Sequence, residues 1–190
     1  MVLYLHGFLS SPGSTKARQM RQALADRGRA ADFLCPQLPA SPRSAAELVL
    51  ALAQLEDPGE LCVVGSSLGG FYATWLAERT GCRAVLLNPA IRPYELLQGR
   101  LGWQTDTTGQ PAEIRPEFMD ELRALETGAP AHPERLLLVA ATGDEIIDYR
   151  TMVERYAHCP QRIVDSDHAL SEFAAVLPEV LRFCGLTPAT

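Results

Sequence analysis

The sequence predicts an α/β protein in which a mostly parallel sheet carries helices on both faces. Short apolar segments alternate with amphipathic, helix-like segments along the 190 residues, which is the pattern of a parallel sheet built from strand–helix units. The segments 61–64 and 136–141 lack polar alternation, which indicates strands buried on both faces. Without internal repeats or low-complexity segments, we expect a single domain over residues 1–190.

Apolar runs bounded by turn-forming residues predict about six strands. In chain order these runs are 2–5, 31–35, 61–64, 84–87, 136–141 and 162–164. Between them, helical spacing predicts a first helix capped by Ser14 and a second helix that begins with the capping-box pair Ser44 and Glu47. A third helix follows Gly69, and two more are expected over 149–157 and 169–183.

The segment 88–133 differs from the rest of the chain. It contains scattered Pro and Gly, no strand signal, and two short helices predicted near Pro93 and Pro116. A long connection of this kind usually forms a lid or binding loop, so we interpret it as a small cap; a plain crossover helix with long loops is the alternative. Its larger apolar residues indicate either an acyl pocket or the core of the cap itself, and they are Tyr94, Leu97, Trp103 and Phe118.

Composition excludes several classes of function. The net charge of −6, with no basic cluster, argues against nucleic acid and anionic membrane surfaces as partners. No apolar stretch has the length of a membrane span, and the N-terminus lacks the features of a signal peptide, so we expect a cytoplasmic protein. The five cysteines form no C-x-x-C pair, which argues against a zinc site and a redox pair and predicts free thiols in a reducing compartment.

A Gly-x-Ser-x-Gly motif, Gly65-Ser66-Ser67-Leu68-Gly69, stands between a predicted strand and a predicted helix. This is the setting of a nucleophile elbow, in which a strained turn lifts a serine above the sheet and small neighbours let strand and helix approach. Ser67 is therefore the candidate nucleophile, while Ser66 lies one position from the centre of the motif. The motif alone also arises by chance, so partner residues have to decide.

A serine nucleophile requires a general base, and four histidines are available. His6 precedes the elbow, His132 lies between alanine and proline before a strand, and His158 ends a helix. Only His168 follows the last predicted strand, which agrees with the order Ser, Asp or Glu, then His in enzymes with this elbow. We predict His168 as the base; a histidine that caps the last helix is the alternative.

The orienting carboxylate is expected directly after the fifth strand. Asp144 is the leading candidate there, and Glu145 and Asp148 are rivals because a shift of one residue or one helical turn would present either instead. Asp165 and Asp167 flank the histidine and are weaker candidates, since a residue adjacent in sequence is poorly placed to accept a hydrogen bond from the ring.

The oxyanion hole should combine the backbone N–H of Leu68 with that of Phe8, in the loop after the first strand. His6 and Gly7 are expected to shape that loop; a catalytic or metal-binding His6 is less favoured because no metal-binding spacing is present. All the polar candidates follow predicted strands, at the edge where active sites of parallel sheets lie: His6, Ser67, Asn88, Asp144 and His168.

These residues resemble the α/β-hydrolase superfamily and, more narrowly, the YqiA-type small bacterial esterases. The likeness is carried over nearly the whole length by Tyr4-Leu5-His6-Gly7-Phe8, Ser10-Ser11-Pro12, Pro36-Gln37-Leu38-Pro39, Gly65-Ser66-Ser67-Leu68-Gly69-Gly70, Tyr72-Ala73-Thr74-Trp75-Leu76, Asn88-Pro89-Ala90, Arg92-Pro93, Gly143-Asp144-Glu145 and Asp148-Tyr149-Arg150. The resemblance implies ester hydrolysis without a cofactor, in a trimmed fold that lacks the first two strands of larger relatives.

Carried over by position, the resemblance implies a triad of Ser67, Asp144 and His168, with Phe8 and Leu68 at the oxyanion hole. One departure is the Asp165-Ser166-Asp167 run before the histidine, where relatives tend to have Gly or Asn; its charge would raise the pKa of the imidazole or compete for its orientation.

We therefore expect a carboxylic ester hydrolase that acts on a small-molecule acyl ester through an acyl-enzyme intermediate. A thioesterase or acyltransferase at the same site is the alternative, and a non-catalytic binding module on the same scaffold is less favoured.

Overall fold

The computed structural model describes residues 1–186 and confirms the predicted α/β class. Its strands are β1 (Val2–Leu5), β2 (Phe33–Leu34), β3 (Cys62–Ser66), β4 (Arg83–Leu87), β5 (Gly102–Thr105), β6 (Pro111–Ile114), β7 (Leu136–Ala141) and β8 (Gln161–Val164). Six of them form a parallel sheet in the order β2-β1-β3-β4-β7-β8, and β5 and β6 form a separate antiparallel hairpin.

Seven helices accompany the strands in this part of the chain. They are α1 (Thr15–Ala25), α2 (Pro42–Ala53), α3 (Leu68–Thr80), α4 (Pro93–Leu97), α5 (Glu117–Ala124), α6 (Tyr149–Arg155) and α7 (Phe173–Phe183). Helices α1 and α7 cover one face of the sheet, and α2, α3, α5 and α6 cover the other. Between residues 1 and 186, no helix has both the length and the apolar character needed to span a bilayer.

The sheet is buried on both faces because alternate residues of each strand enter different cores. In β1, Leu3 and Leu5 pack with α2 and α3, whereas Val2 and Tyr4 pack with α1 and α7. This double burial explains why the central strands contain apolar residues at successive positions instead of an alternating pattern.

The sideways order in which the strands are added to the sheet reverses between β1 and β3, although the strands themselves stay parallel. From β1 the chain crosses to β2 at one edge, and from β3 it proceeds through β4 and β7 to β8 at the other edge. The loops after β1 and β3 therefore diverge, which opens a crevice at the carboxyl ends of these two strands. The register pairs Leu5 with Gly65, so the His6 loop and the Ser67 turn leave the sheet side by side.

The structure corrects the interpretation of residues 88–133. The two short helices are present as α4 and α5, but the β5–β6 hairpin lies between them, where no strand was expected. Asp106 organises its turn, since Oδ1 accepts hydrogen bonds from the N–H groups of Thr108 and Gln110. The hairpin was missed because its residues are mostly exposed and carry no hydrophobic period.

Helix α2 begins earlier than predicted. Its cap is Ser41, whose Oγ accepts a hydrogen bond from the N–H of Ser44, and Pro42 occupies the first helical position. The capping box proposed for Ser44 and Glu47 was therefore wrong, because proline at the first position fixes the start of the helix and needs no N–H partner. Strand β2 and helix α7 are also shorter than expected from the sequence.

Candidate active site

Ser67 occupies the sharp turn between β3 and α3, with φ 53° and ψ −118°. This backbone conformation is unfavourable for a residue with a Cβ atom, and such strain is concentrated at functional sites. A Cβ atom at Gly65 would lie 2.2 Å from the carbonyl oxygen of Gly69, and one at Gly69 would lie 2.0 Å from the carbonyl oxygen of Leu5. The spacing of the motif therefore follows from the close approach of β1, β3 and α3.

Three side chains from separate loops form a continuous chain of hydrogen bonds. His168 Nε2 lies 3.0 Å from Ser67 Oγ, and His168 Nδ1 lies 2.7 Å from Asp144 Oδ2. Because a carboxylate only accepts hydrogen bonds, Nδ1 carries the proton, and Nε2 is left to accept from the serine hydroxyl. The arrangement directs a neutral imidazole at a hydroxyl group that stands at the end of β3.

The Asp144 carboxylate is fixed by backbone donors as well as by the ring. Its side chain is 0% exposed, and Oδ1 accepts hydrogen bonds from the N–H groups of Ile146 at 2.9 Å and Ile147 at 2.8 Å. Burial acts to raise the pKa of Asp144, but the hydrogen bonds from His168, Ile147 and Ile146 outweigh it, so the pKa lies below its usual value. The carboxylate is therefore ionised at neutral pH.

The rival carboxylates have other partners. Glu145 Oε2 accepts a hydrogen bond from the backbone N–H of His168, Asp148 caps α6 and pairs with Arg150, and Asp167 accepts from Ser171. Within residues 1–186, none of them forms a hydrogen bond with the His168 ring; nor does Asp165, whose side chain makes no hydrogen bond there. Of the acidic residues weighed from the sequence, the structure brings only Asp144 to the imidazole.

The loop after β1 lies against the elbow. A Cβ atom at Gly7 would lie 3.3 Å from Ser67 Cβ, so the loop reaches Ser67 only with glycine or with a small shift. His6 is buried and holds the loop by its ring: Nδ1 contacts the carbonyl oxygen of Gly7 at 3.0 Å, and Nε2 accepts from the N–H of Leu38 at 3.0 Å. Burial lowers the pKa of His6, which favours this neutral form.

The two expected oxyanion donors lie next to this crevice. The backbone N–H groups of Phe8 and Leu68 donate to no other group within residues 1–186, and Leu68 is the first residue of α3. Free N–H groups at a helix N-terminus are suited to a developing negative charge. Both residues line a cavity of about 390 Å³ on one side of the His6 loop.

Asn88 connects the strand that leads to Asp144 with the loop that carries His168. It is 0% exposed, and its Oδ1 accepts from the N–H of Ala141, at the end of β7, at 2.8 Å. Its Nδ2 donates to the carbonyl oxygens of Asp167 at 3.1 Å and His168 at 3.0 Å. The side chain thus fixes the backbone that carries His168 relative to the strand that leads to Asp144.

A cavity of about 530 Å³ opens over Ser67 and His168. Its apolar wall combines Leu97 of α4 with Ile146 and Ile147 of the loop that carries Asp144. Of the cap residues weighed from the sequence, only Leu97 lines this cavity. Phe118 packs in the core, Trp103 is 70% exposed, and Tyr94 donates to Glu126. That the segment 88–133 acts as a cap stays a prediction.

A model of an uncharacterised protein family, UPF0227, matches residues 1–185 of the chain. The chain belongs to the UPF0227 family. UPF0227 proteins of Shewanella sediminis (strain HAW-EB3) and Shewanella sp. (strain ANA-3) are 25% and 27% identical to it, and each match covers 96% of this chain and 98% of the relative. The resemblance expected from the motifs is confirmed over nearly the full length.

Solved structures of α/β hydrolases are similar to this UPF0227 chain in fold. Est1E from Butyrivibrio proteoclasticus with ferulic acid bound has a TM-score of 0.68 at 15% identity, over 96% of this chain and 86% of that chain. Carboxylesterase CesB from Bacillus subtilis has 0.62 at 18%, over 97% and 83%, and mouse α/β-hydrolase domain-containing protein 10 has 0.69 at 17%, over 97% and 87%. At these identities the likeness is one of fold, and it confirms the expected α/β-hydrolase fold.

Two residues at this site had no role assigned from the sequence. Asn88 was recognised only as a polar residue after a strand, and Lys16, which lines the cavity over Ser67, was not recognised. The signal for Asn88 was a polar residue that ends a buried apolar strand, and the signal for Lys16 was that it is the only lysine of the chain. Within residues 1–186, the His, Cys, Asp and Glu side chains form no group of three suited to a metal ion.

Proposed function

We propose that this UPF0227 protein is a serine hydrolase that cleaves carboxylic esters of small to medium acyl groups. The observation that carries the proposal is the pair of hydrogen bonds from Ser67 Oγ to His168 Nε2 and from His168 Nδ1 to Asp144 Oδ2, at 3.0 and 2.7 Å. A nucleophile, a base and an orienting carboxylate in this order are the parts that acyl transfer requires.

In the first half of the reaction, Ser67 Oγ attacks the acyl carbonyl carbon while His168 Nε2 takes the hydroxyl proton. The tetrahedral intermediate then breaks its bond to the leaving alcohol, which receives the proton from His168 Nε2. In the second half, water attacks the acyl-enzyme, and His168 again accepts and returns the proton. Asp144 stays ionised throughout and stabilises the imidazolium that forms twice.

The negative charge on the carbonyl oxygen is assigned to the N–H groups of Phe8 and Leu68. Their lack of other partners within residues 1–186 supports this role, since preorganised donors cost no reorganisation when the charge develops. His6 and Gly7 hold the Phe8 loop against Ser67.

Turnover of p-nitrophenyl acetate and butyrate tests the proposal. We expect Ser67→Ala to lower kcat at least roughly 10³-fold, and Asp144→Asn to lower it by a similar factor because the ring loses its orienting acceptor. Asp148→Asn is the matched control, since this exposed carboxylate caps α6 and does not contact His168. Circular dichroism verifies that every variant is folded.

The results separate the alternatives. Unchanged turnover in Ser67→Ala would reject Ser67 as the nucleophile. A butyryl thioester passes through the same tetrahedral intermediate, so it is assayed beside the ester to decide between esterase and thioesterase. Wild-type protein that cleaves neither would contradict the proposal and favour a binding module.

We further propose a cytoplasmic location and a small-molecule acyl ester as the substrate, with neither nucleic acid nor membrane as a partner. The net charge of −6 supports the exclusion of polyanionic partners, and the five free thiols suit a reducing compartment.

A further inference from the structure

Two basic side chains line the cavity over Ser67. Lys16 enters it from the first turn of α1, and Arg100 enters it from the turn after α4, so the two come from different parts of the chain. Lys16 is the single lysine among 17 basic residues, and it lies in the cavity that also contains the nucleophile and the base.

Both cations keep free hydrogen-bonding capacity. Lys16 Nζ donates to the carbonyl oxygen of Ala169, which leaves two of its three N–H groups for a ligand. The guanidinium of Arg100 makes no hydrogen bond and no ion pair within residues 1–186, whereas arginines elsewhere, such as Arg29 and Arg150, pair with carboxylates.

Nearby carboxylates do not neutralise these cations by direct contact. Asp106 also lines the cavity, but its Oδ1 is occupied by Thr108 and Gln110 in the hairpin turn. Asp144 is bound to His168 and to two backbone N–H groups, and Asp167 is bound to Ser171. No carboxylate oxygen in the described part of the chain lies within ion-pair distance of Lys16 Nζ.

We propose that the natural substrate is an ester that carries an anionic group, a carboxylate or a phosphate, bound by Lys16 and Arg100 while its acyl carbonyl is at Ser67. The inference rests on the proposed hydrolase function and names the substrate class. Charge-assisted hydrogen bonds are stronger than neutral ones, and the half-buried Lys16 is partly shielded from water, whereas Arg100 is exposed and adds its charge at the rim of the cavity. Leu97 and Ile147 line the same cavity and suit the apolar carbon chain between the two groups.

The competing role for Lys16 is a tether that holds the His168 loop through the carbonyl oxygen of Ala169. A tether affects every substrate in the same proportion, whereas an anion-binding residue affects charged substrates more than neutral ones. The ratio of kcat/KM for a charged ester to that for its neutral match therefore distinguishes the two roles, because any effect on chemistry common to both esters cancels in the ratio.

The experiment uses three matched pairs of esters. The first pair is mono-p-nitrophenyl adipate and its neutral match, methyl p-nitrophenyl adipate, so the charge lies on the acyl side of the cleaved ester. The second pair is 3-acetoxybenzoate and its neutral methyl ester, so the charge lies on the alcohol side of the cleaved acetyl ester. A third pair replaces the adipate carboxylate with a phosphate monoester to tell the two anions apart. We expect a wild-type ratio of about ten in at least one pair, the gain of one charge-assisted hydrogen bond.

The variants test the residues one at a time. Lys16→Met and Arg100→Gln should each reduce the ratio, and Lys16→Arg should restore most of it because the charge is kept. Arg162→Gln is the control, since this exposed arginine of β8 pairs with Glu179 of α7, does not line the cavity, and should leave the ratio unchanged. Burial lowers the pKa of Lys16 to about 8, although the negative charges of Asp167 and Asp144 act to raise it. Because Lys16 loses its charge as the pH rises through that value, the ratio should also fall there.

The outcomes separate failure of this inference from failure of the proposed function. If the wild-type protein cleaves the neutral esters and the charged-to-neutral ratio of kcat/KM is one or less in every pair, the inference is overturned, while the proposed hydrolase function is supported. A constant ratio in Lys16→Met and Arg100→Gln overturns it as well and assigns Lys16 to the tether. Wild-type protein that cleaves no ester of any pair overturns both.

Discussion

Removing the side chain of Asn88 should impair both stability and catalysis, although the residue touches no substrate. Asn88→Ala leaves three backbone groups without their partner: the N–H of Ala141 and the carbonyl oxygens of Asp167 and His168. At about 1 kcal/mol for each buried hydrogen bond, the free energy of unfolding should fall by about 3 kcal/mol. For a chain of this length that lowers the Tm by roughly 6–12 °C.

The expected catalytic effect follows from the position of His168, the proposed base. A misplacement of His168 by about 1 Å costs roughly 100-fold in rate, so kcat on p-nitrophenyl butyrate should fall by that order while KM changes little. Asn88→Asp keeps the acceptor for Ala141 but turns a carboxylate oxygen toward two carbonyl oxygens, and its kcat should fall as well. Asn88 has φ 42°, so Asn88→Gly should be about 1 kcal/mol more stable than Asn88→Ala, with the same loss of kcat.

Gln161 provides the matched control, because its side-chain amide also donates to two carbonyl oxygens, those of Val153 and Tyr156, away from the site. Gln161→Ala should lower the Tm and leave kcat at the wild-type value. The reasoning fails if Asn88→Gly and Asn88→Asp retain wild-type kcat, or if Gln161→Ala lowers kcat as much as they do.

Two further predictions concern the residues around the elbow. Gly69→Ala should prevent stable folding, because its Cβ atom would lie 2.0 Å from the carbonyl oxygen of Leu5. Gly99→Ala is the control: its Cβ atom would have no neighbour within 4 Å, so this variant should have the wild-type Tm in thermal denaturation. Burial lowers the pKa of His6 below the usual 6.5, so below that pH the unfolded chain binds more protons at this residue than the folded protein does. The free energy of unfolding should therefore decrease as the pH falls from 6.5 toward the lowered pKa. The variant His6→Asn cannot titrate at this position, so urea titrations should show that it loses this part of the pH dependence. If His6→Asn and wild type have the same pH dependence, the assignment of the effect to His6 is contradicted.

The sheet and the elbow were predictable because their signals are local. Strands buried on both faces have to be apolar at every position, and the close approach at the elbow requires glycine at positions 65 and 69, so a short window of sequence contains each constraint. The order of Ser67, Asp144 and His168 along the chain likewise follows from which strands end beside one another in a parallel sheet.

The roles of Asn88 and Lys16 depend on contacts between residues far apart in the sequence, which a short stretch of sequence does not show. Asn88 acts on carbonyl groups 79 and 80 positions further along the chain, and Lys16 contacts Ala169, 153 positions away. The β5–β6 hairpin escaped prediction for a different reason: its strands are four residues long and mostly exposed, so burial imposes no pattern on them. Its visible signal was the turn that Asp106 organises before Gly109.

The backbone of Ser67 has a consequence for attempts to improve this protein by selection. At φ 53° and ψ −118° a serine stores strain of about 1–3 kcal/mol that glycine would release, while glycine has no hydroxyl group. A screen that rewards heat resistance alone would therefore favour glycine at position 67 and remove the proposed nucleophile with it. At position 67 the residue that is best for stability is not the one that carries the hydroxyl group. Substitutions that raise the Tm therefore have to be sought at other positions, and selected together with activity.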